Sequence, residues 1–123
     1  MVKLVRLDPY YWPREDFGYW CPGCDKMHPI AVTKKNRSGA SWSFDGNFAA
    51  PTFAPSVNCR VNTPDMGKYY QSDIPSSICH HFVRGGRIQF LGDCTHALRG
   101  QTVDLPDFPQ GRHLTCERCE PEA

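Results

Sequence analysis

The sequence lacks any long hydrophobic run, any strong excess of charge of one sign and any secretory leader pattern. Its 123 residues carry 14 Lys and Arg against 13 Asp and Glu, which gives a formal net charge of +1. Such a balance does not supply the field that holds a nucleic-acid backbone non-specifically. The apolar runs are too short to cross a bilayer, and the first residues show no apolar stretch before a small-residue cleavage site. We therefore expect a cytoplasmic protein that binds neither a membrane nor nucleic acid.

Residues that interrupt helices are abundant, because the chain contains 11 prolines and 10 glycines. This composition favours short strands joined by turns. Apolar and polar residues alternate over 53–61, the mark of a strand with one buried face. Two further β-prone runs flank Gly85-Gly86, which can form the two-residue turn of a hairpin over residues 80–91.

These patterns predict a mainly β fold, a small single-domain β-sheet or sandwich-like structure with a zinc knuckle and little helix. A chain of this length forms one domain with a modest core. We assign the zinc-binding β domain to residues 1–109 and a polar C-terminal tail to residues 110–123. The helix is limited to one short turn, within residues 93–99.

Seven cysteines in a chain without an export signal predict metal binding or thiol chemistry before disulfides. Cys21 and Cys24 enclose Pro22-Gly23, where proline presets one φ angle and glycine would supply an unusual one. Two thiolates in such a tight turn form half of a tetrahedral zinc site. The alternative is a redox couple, but redox pairs usually lie at a helix N-terminus, and Pro29 stops any helix here. The context favours metal.

The predicted hairpin helps to choose the remaining ligands. With Gly85-Gly86 as its turn, Cys79 and Cys94 meet at its open end, on the apolar face. We therefore predict a Zn²⁺ ion held by four cysteines, with one histidine as the alternative ligand: Cys21, Cys24, Cys79 and Cys94, or His96. The terminal pair, Cys116 and Cys119, is a competing source of ligands.

Three segments, WCPGCDKMHPIAV, PTFAPSV and CHHFVRGGRIQFLGDCTHALRGQTVDLP, resemble a family of small phage and prophage proteins of unknown function, number 6527, over residues 17–106. The resemblance implies a zinc-binding β protein without a settled activity, located in the bacterial host cytoplasm if it is phage-encoded. Some bacterial relatives in this family occur beside ubiquitin-like conjugation genes. The motif residues that carry the resemblance are Cys21, Cys24, Cys79, His80, Asp93, Cys94 and His96.

Three functions follow from these residues, and the sequence leaves open whether the protein is an enzyme. The favoured one is a zinc-binding phage-type accessory protein that binds a host or phage protein, because four thiolates leave no open metal position. The alternative is a zinc-dependent hydrolase that uses His80, Asp93 and His96 near the metal. The third is nucleic-acid recognition through Arg84 and Arg87 of the hairpin, and the near-neutral charge argues against it.

Overall fold

The computed structural model describes residues 3–61, 77–109 and 119–122. Within these ranges the chain forms nine β-strands and no helix, so the predicted mainly β fold is confirmed. The strands are β1 (Leu4–Arg6), β2 (Phe17–Cys21), β3 (Lys26–Ile30), β4 (Ser43–Phe44), β5 (Phe53–Val61), β6 (Ser77–Arg84), β7 (Arg87–Phe90), β8 (Thr102–Asp104) and β9 (Cys119–Glu122). In the described chain no helix is long and apolar enough to cross a membrane.

One region of the sequence differs from the expectation, and a second is described only in part. The prediction of a short helical turn within residues 93–99 is wrong, because this segment forms irregular turns. Of the tail assigned to residues 110–123, the part that includes Cys116 lies outside the described residues. Residues 119–122 form β9, which pairs with β5.

The strands build two antiparallel sheets. One has the order β1-β2-β3, and the other has the order β4-β5-β6-β7-β8, with β9 paired to β5 beside this path. The predicted hairpin is confirmed, because Val83 pairs with Ile88 and Arg84 with Arg87. Gly85 and Gly86 close its turn with φ angles of 57° and 76°, a region that favours glycine.

The two sheets pack face to face around one core. The Tyr19 ring of β2 stacks on Phe53 of β5 with a centroid distance of 6.0 Å. Burying a side chain of this size stabilises the fold by about 1.5–3 kcal/mol. The core draws apolar residues from both sheets: Leu4, Phe17, Tyr19, Ile30, Trp42, Phe53, Val57, Val83, Ile88, Phe90 and Leu105. This packing holds β2 against β6, the strands that carry the predicted ligands Cys21 and Cys79.

Strand β5 departs from simple alternation. The sequence pattern predicts one buried face on the odd positions, yet Ser56 and Asn58 at even positions are also buried, with 4% and 3% of their surface exposed. The register between β5 and β6 shifts between Phe53 and Val57. Irregularities of this kind redirect side chains and are frequent next to active sites.

Asp16 joins the loop before β2 to the segment after β3. Its carboxylate accepts hydrogen bonds from the amides of Val32 and Thr33, at 2.6 and 2.9 Å, and from the Thr33 hydroxyl at 2.6 Å. Burial on its own raises the pKa of Asp16, but the hydrogen bonds from Thr33 and Val32 outweigh it and leave the pKa below its ordinary value. The ionised carboxylate therefore stabilises the folded state.

We predict that Asp16→Ala lowers the free energy of unfolding at pH 7 by about 2 kcal/mol, because hydrogen bonds to a charged group are lost. A carboxyl with a lowered folded pKa stabilises the protein fully above its unfolded pKa of about 3.9 and loses this effect as the pH falls through the folded pKa. Urea unfolding at several pH values should show the gap between wild type and variant closing below about pH 4. Asp107→Ala, which removes an exposed carboxylate, is the control, and a gap independent of pH would contradict the role of the charge.

Candidate functional site

The register between β5 and β6 creates two clusters of polar side chains on opposite faces of one sheet. Asn58 pairs with His80, and Cys59 pairs with Cys79. Because successive side chains of a strand point to opposite faces, Cys79 lies on the core side and His80 on the other side. Cys79 of one cluster and His80 of the other are therefore neighbours in the chain.

The cluster on the core side could hold a metal ion. The ligand atoms of Cys21, Cys24, Cys79 and His96 all lie within 4.8 Å of one another. Cys79 Sγ lies 3.7 Å from Cys21 Sγ and 3.4 Å from His96 Nε2. Sulfur atoms on a tetrahedral zinc ion, each at roughly 2.3 Å from it, are separated by about 3.8 Å. The spacing of the two sulfurs therefore suits a single ion between them.

The Cys21–Cys24 turn has an amide contact to one of its sulfurs and an unexpected use of its glycine. The Cys24 amide donates to Cys21 Sγ at 3.3 Å. The positive φ angle of the turn, 56°, falls on Asp25 and not on Gly23. A Cβ atom at Gly23 would overlap the imidazole of His96. Gly23 thus provides the space in which His96 approaches the thiols.

The contacts among the sulfurs shift the pKa values of Cys24 and Cys79 in opposite directions. Hydrogen bonds from Cys21 and Cys79 lower the pKa of the Cys24 thiol, whereas the contacts of Cys79 with Cys21 and Cys24 raise the pKa of the Cys79 thiol. One sulfur ionises at the expense of another, because several thiolates this close repel one another. A bound cation would remove this conflict and allow all three to ionise.

Cys94, expected as the fourth ligand, lies against the backbone of His80. Its sulfur accepts a hydrogen bond from the His80 amide at 3.3 Å and donates one to the His80 carbonyl at 3.1 Å. Burial raises the pKa of the Cys94 thiol, which keeps the proton needed for this donation. His96, the alternative ligand of the sequence analysis, takes the fourth place in the cluster.

A second group of possible ligands, His28, Cys79 and His81, lies beside the first. Burial holds the pKa of His81 well below its usual value, so its ring is neutral. Its Nδ1 lies 3.2 Å from the Cys79 carbonyl and its Nε2 lies 2.8 Å from the Tyr19 hydroxyl. Nδ1 therefore carries the proton, and Nε2 accepts from Tyr19. Both nitrogens of His81 are engaged, which favours a role in the core.

On the opposite face, a hydroxyl, an imidazole and a carboxylate form a chain of hydrogen bonds. Ser56 Oγ lies 3.2 Å from His80 Nε2, and His80 Nδ1 lies 3.0 and 3.2 Å from the two oxygens of Asp93. A carboxylate only accepts, so Nδ1 carries the proton and Nε2 can accept the proton of Ser56. The His80 side chain is 16% exposed and that of Asp93 is 50% exposed. This is the arrangement by which serine hydrolases activate their nucleophile.

His80 and Asp93 were expected from the sequence as candidate functional residues, whereas Ser56 was not. Serine nucleophiles in α/β-hydrolases are often marked by a G-x-S-x-G turn, whereas Ser56 lies in the strand segment PSV. Its partnership with His80 depends on strand pairing across 24 residues of sequence. The signal that could have found it is a polar residue at an even position of β5, on the face of the predicted sheet that also carries His80.

The segment after β7 fixes both clusters. The Leu91 amide donates to the His80 carbonyl at 2.9 Å, and the Thr95 amide donates to the Ile78 carbonyl at 3.0 Å. The Ile78 amide donates to Thr95 Oγ1 at 3.0 Å. This segment carries Asp93 to one face of the sheet and His96 to the other, so it connects the hydrogen-bonded chain with the thiol cluster.

Comparison with known proteins gives one family. The model of the bacterial ubiquitination-like system serine protease (BubE) family matches residues 5–91. The match includes Ser56 and His80 and ends before Asp93. No curated protein and no solved structure matches the chain.

This match corrects three expectations from the sequence. Membership in the phage family of unknown function 6527 is wrong, because the matching family is BubE, and a description as a bacteriophage protein of unknown function is wrong with it. The zinc-binding accessory function is wrong as well, and the zinc-dependent hydrolase is not supported, because the family name specifies a serine protease. The matched region covers more than half of the 123 residues, and the chain belongs to the BubE family of bacterial ubiquitination-like system serine proteases.

Proposed function

We propose that this chain is a serine peptidase in which Ser56 is the nucleophile, His80 is the general base and Asp93 orients His80. The observation that carries the proposal is the continuous contact from Ser56 Oγ through the His80 ring to the Asp93 carboxylate. The family name supports the same chemistry. Ser56 and His80 lie on neighbouring strands of one sheet, which suits a site whose groups must be held within fractions of an ångström.

The reaction follows from these positions. Ser56 Oγ attacks the carbonyl carbon of an amide bond while its proton passes to His80 Nε2, and Asp93 stabilises the imidazolium that forms. The intermediate collapses to an acyl-enzyme as His80 Nε2 returns the proton to the leaving amine. Water then repeats the sequence and releases Ser56. In a ubiquitination-like system the amide bond belongs to a protein partner.

We predict that Ser56→Ala abolishes labelling by a fluorophosphonate probe. In this reaction Ser56 Oγ bonds to phosphorus, fluoride leaves and His80 takes the proton, so His80→Ala and Asp93→Asn should slow labelling by about 10³- to 10⁴-fold. Labelling rates follow from gel fluorescence, and mass spectrometry identifies the modified residue.

The control is Ser43→Ala, which removes an exposed hydroxyl from β4 of the same sheet and should leave labelling unchanged. Thermal unfolding of each variant verifies that the fold is intact. Labelling of the wild type at a residue other than Ser56, or equal labelling of folded Ser56→Ala, would refute the assignment of the nucleophile.

For the thiol cluster we propose a zinc ion held by Cys21, Cys24, Cys79 and His96. Three thiolates and one imidazole are a common ligand set of closed zinc sites. The Leu98 amide donates to His96 Nδ1 at 3.2 Å. Zinc on Nε2 would place the ring proton on Nδ1, so this hydrogen bond would be exchanged for the metal bond.

Zinc at this place would position the catalytic groups without taking part in the reaction. Cys79 precedes the base His80, and His96 follows three residues after Asp93. An ion between Cys79 and His96 would therefore fix β6 relative to the segment that holds the carboxylate. A displacement of about 1 Å in such a group can cost about 100-fold in rate, which is the magnitude we expect on removal of zinc.

We predict that His96→Ala loses most of the bound zinc, whereas Cys94→Ser keeps it. Of these two side chains, His96 belongs to the thiol cluster and Cys94 does not. Zinc content by inductively coupled plasma mass spectrometry and the visible absorption of the cobalt-loaded protein measure the difference. Cys79→Ser serves as the positive control for loss. Zinc retained by His96→Ala and lost by Cys94→Ser would show that Cys94 is the fourth ligand.

We also predict that Gly23→Ala lowers zinc affinity by about 10- to 100-fold, the range seen when groups that orient metal ligands are changed. The added methyl would push the His96 ring away from the thiols. Gly92→Ala is the matched control, because a Cβ at Gly92 has no neighbour within 4 Å. Competition with a chromophoric chelator measures both affinities, and equal values for the two variants would contradict this role of Gly23.

A further inference from the structure

One buried polar residue beside the hydrogen-bonded chain has no part in the reaction described so far. Asn58 lies two residues after Ser56 in β5 and directly opposite His80 in β6. Residues two apart in a strand share a face, so Ser56, His80 and Asn58 share one face of the sheet. Asn58 is 3% exposed.

The side chain of Asn58 is incompletely satisfied. Its Oδ1 atom is buried and has no hydrogen-bond partner in the described part of the protein. A buried polar atom without a partner costs stability, and such atoms in native structures are associated with catalytic or binding roles. An apolar residue of the same size would avoid this cost at a position whose strand neighbours Val57 and Cys59 lie in the core.

The carboxamide suits the charge that forms during acyl transfer. Its oxygen and its NH₂ group have nearly the same shape, so a half-turn places two N–H donors where the oxygen lies. Consecutive same-face residues of a strand are about 6.6 Å apart between Cα atoms. A carbon bonded to Ser56 Oγ can therefore lie between the two side chains, with its oxygen within reach of Asn58.

We infer that Asn58 is a further catalytic residue, whose side-chain N–H donates a hydrogen bond to the oxyanion formed when Ser56 attacks. The inference rests on the proposed peptidase function. In this step the Ser56 Oγ–carbon bond forms, the carbonyl π electrons move to oxygen and the Ser56 proton passes to His80 Nε2. Asn58 remains chemically unchanged and stabilises the negative oxygen. Loss of one such donor in other enzymes costs about 10²- to 10³-fold in rate.

The test uses Asn58→Leu, which keeps the size of the side chain and removes its hydrogen bonds, and Asn58→Ala. The fluorophosphonate probe serves again, because the phosphoryl oxygen also gains negative charge during attack. We expect the maximal labelling rate to fall about 10²- to 10³-fold at an unchanged half-saturating probe concentration. Thermal stability should stay equal or rise, since a buried atom without a partner is removed. Gln89→Leu is the matched control, because Gln89 lies exposed on the same sheet face, in β7.

The outcomes separate this inference from the function on which it rests. If the wild type is not labelled at Ser56, the peptidase proposal itself fails. If the wild type is labelled and the folded Asn58 variants react at the same maximal rate, only the role of Asn58 falls. A change in the half-saturating probe concentration alone, at an unchanged maximal rate, would also overturn the catalytic role of Asn58. Such a result would mean that Asn58 affects binding of the probe before Ser56 attacks. If Asn58→Leu does not fold, Asn58→Ala decides by the same criteria.

Discussion

The pairing of β5 with β6 is the constraint on which the rest of this protein depends. Its register sets Cys59 opposite Cys79 and Asn58 opposite His80. One face of this pair therefore contributes to the core and to the thiol cluster, and the other face carries the hydroxyl, imidazole and carboxamide. A slip of one residue would exchange the faces of every side chain on one strand. The core packing, the thiol cluster and the hydrogen-bonded chain from Ser56 to Asp93 consequently depend on the same register.

The segment between β7 and β8 completes both faces, and Cys94 shows how. Its thiol bonds the amide and the carbonyl of His80, so it supports the backbone of the proposed base. Two residues away, His96 reaches the thiol cluster, and the preceding Asp93 reaches the His80 ring. A cysteine beside other thiols can thus support the backbone, and its chemical type alone does not decide between that role and metal ligation.

The sequence was sufficient to predict the β class, the hairpin around Gly85-Gly86 and the meeting of the Cys21–Cys24 turn with Cys79, because these follow from local periodicity and turn chemistry. The sequence was insufficient to predict that Ser56 contacts His80. The alternation over 53–61 predicted one buried face, and the burial of the polar face arises from tertiary contacts that no local pattern encodes. The sequence likewise could not decide whether Cys94 or His96 lies closest to the thiols of Cys21, Cys24 and Cys79. That depends on side-chain direction in a segment without regular structure. The wrong functional expectation followed from the four cysteines, which favoured a closed structural zinc site, and the alternative hydrolase placed His80 and Asp93 near that metal because the contact of His80 with Ser56 was not foreseen.

The pairing of strand β5 also limits how a substrate could reach Ser56, the proposed nucleophile. Over Val57–Cys59 it pairs with β6 on one side and with β9 on the other, and Ser56 pairs with Glu122 of β9. In this part of the sheet β5 is an interior strand, so an extended peptide could not add beside Val57–Cys59 as a further strand without displacing β6 or β9. In the proposed peptidase a substrate would approach over the face that carries Ser56, His80 and Asn58, so attack and charge stabilisation would come from side chains. The backbone amides of a strand point along the sheet toward its neighbouring strands, which leaves the proposed stabilisation of the oxyanion to the carboxamide of Asn58.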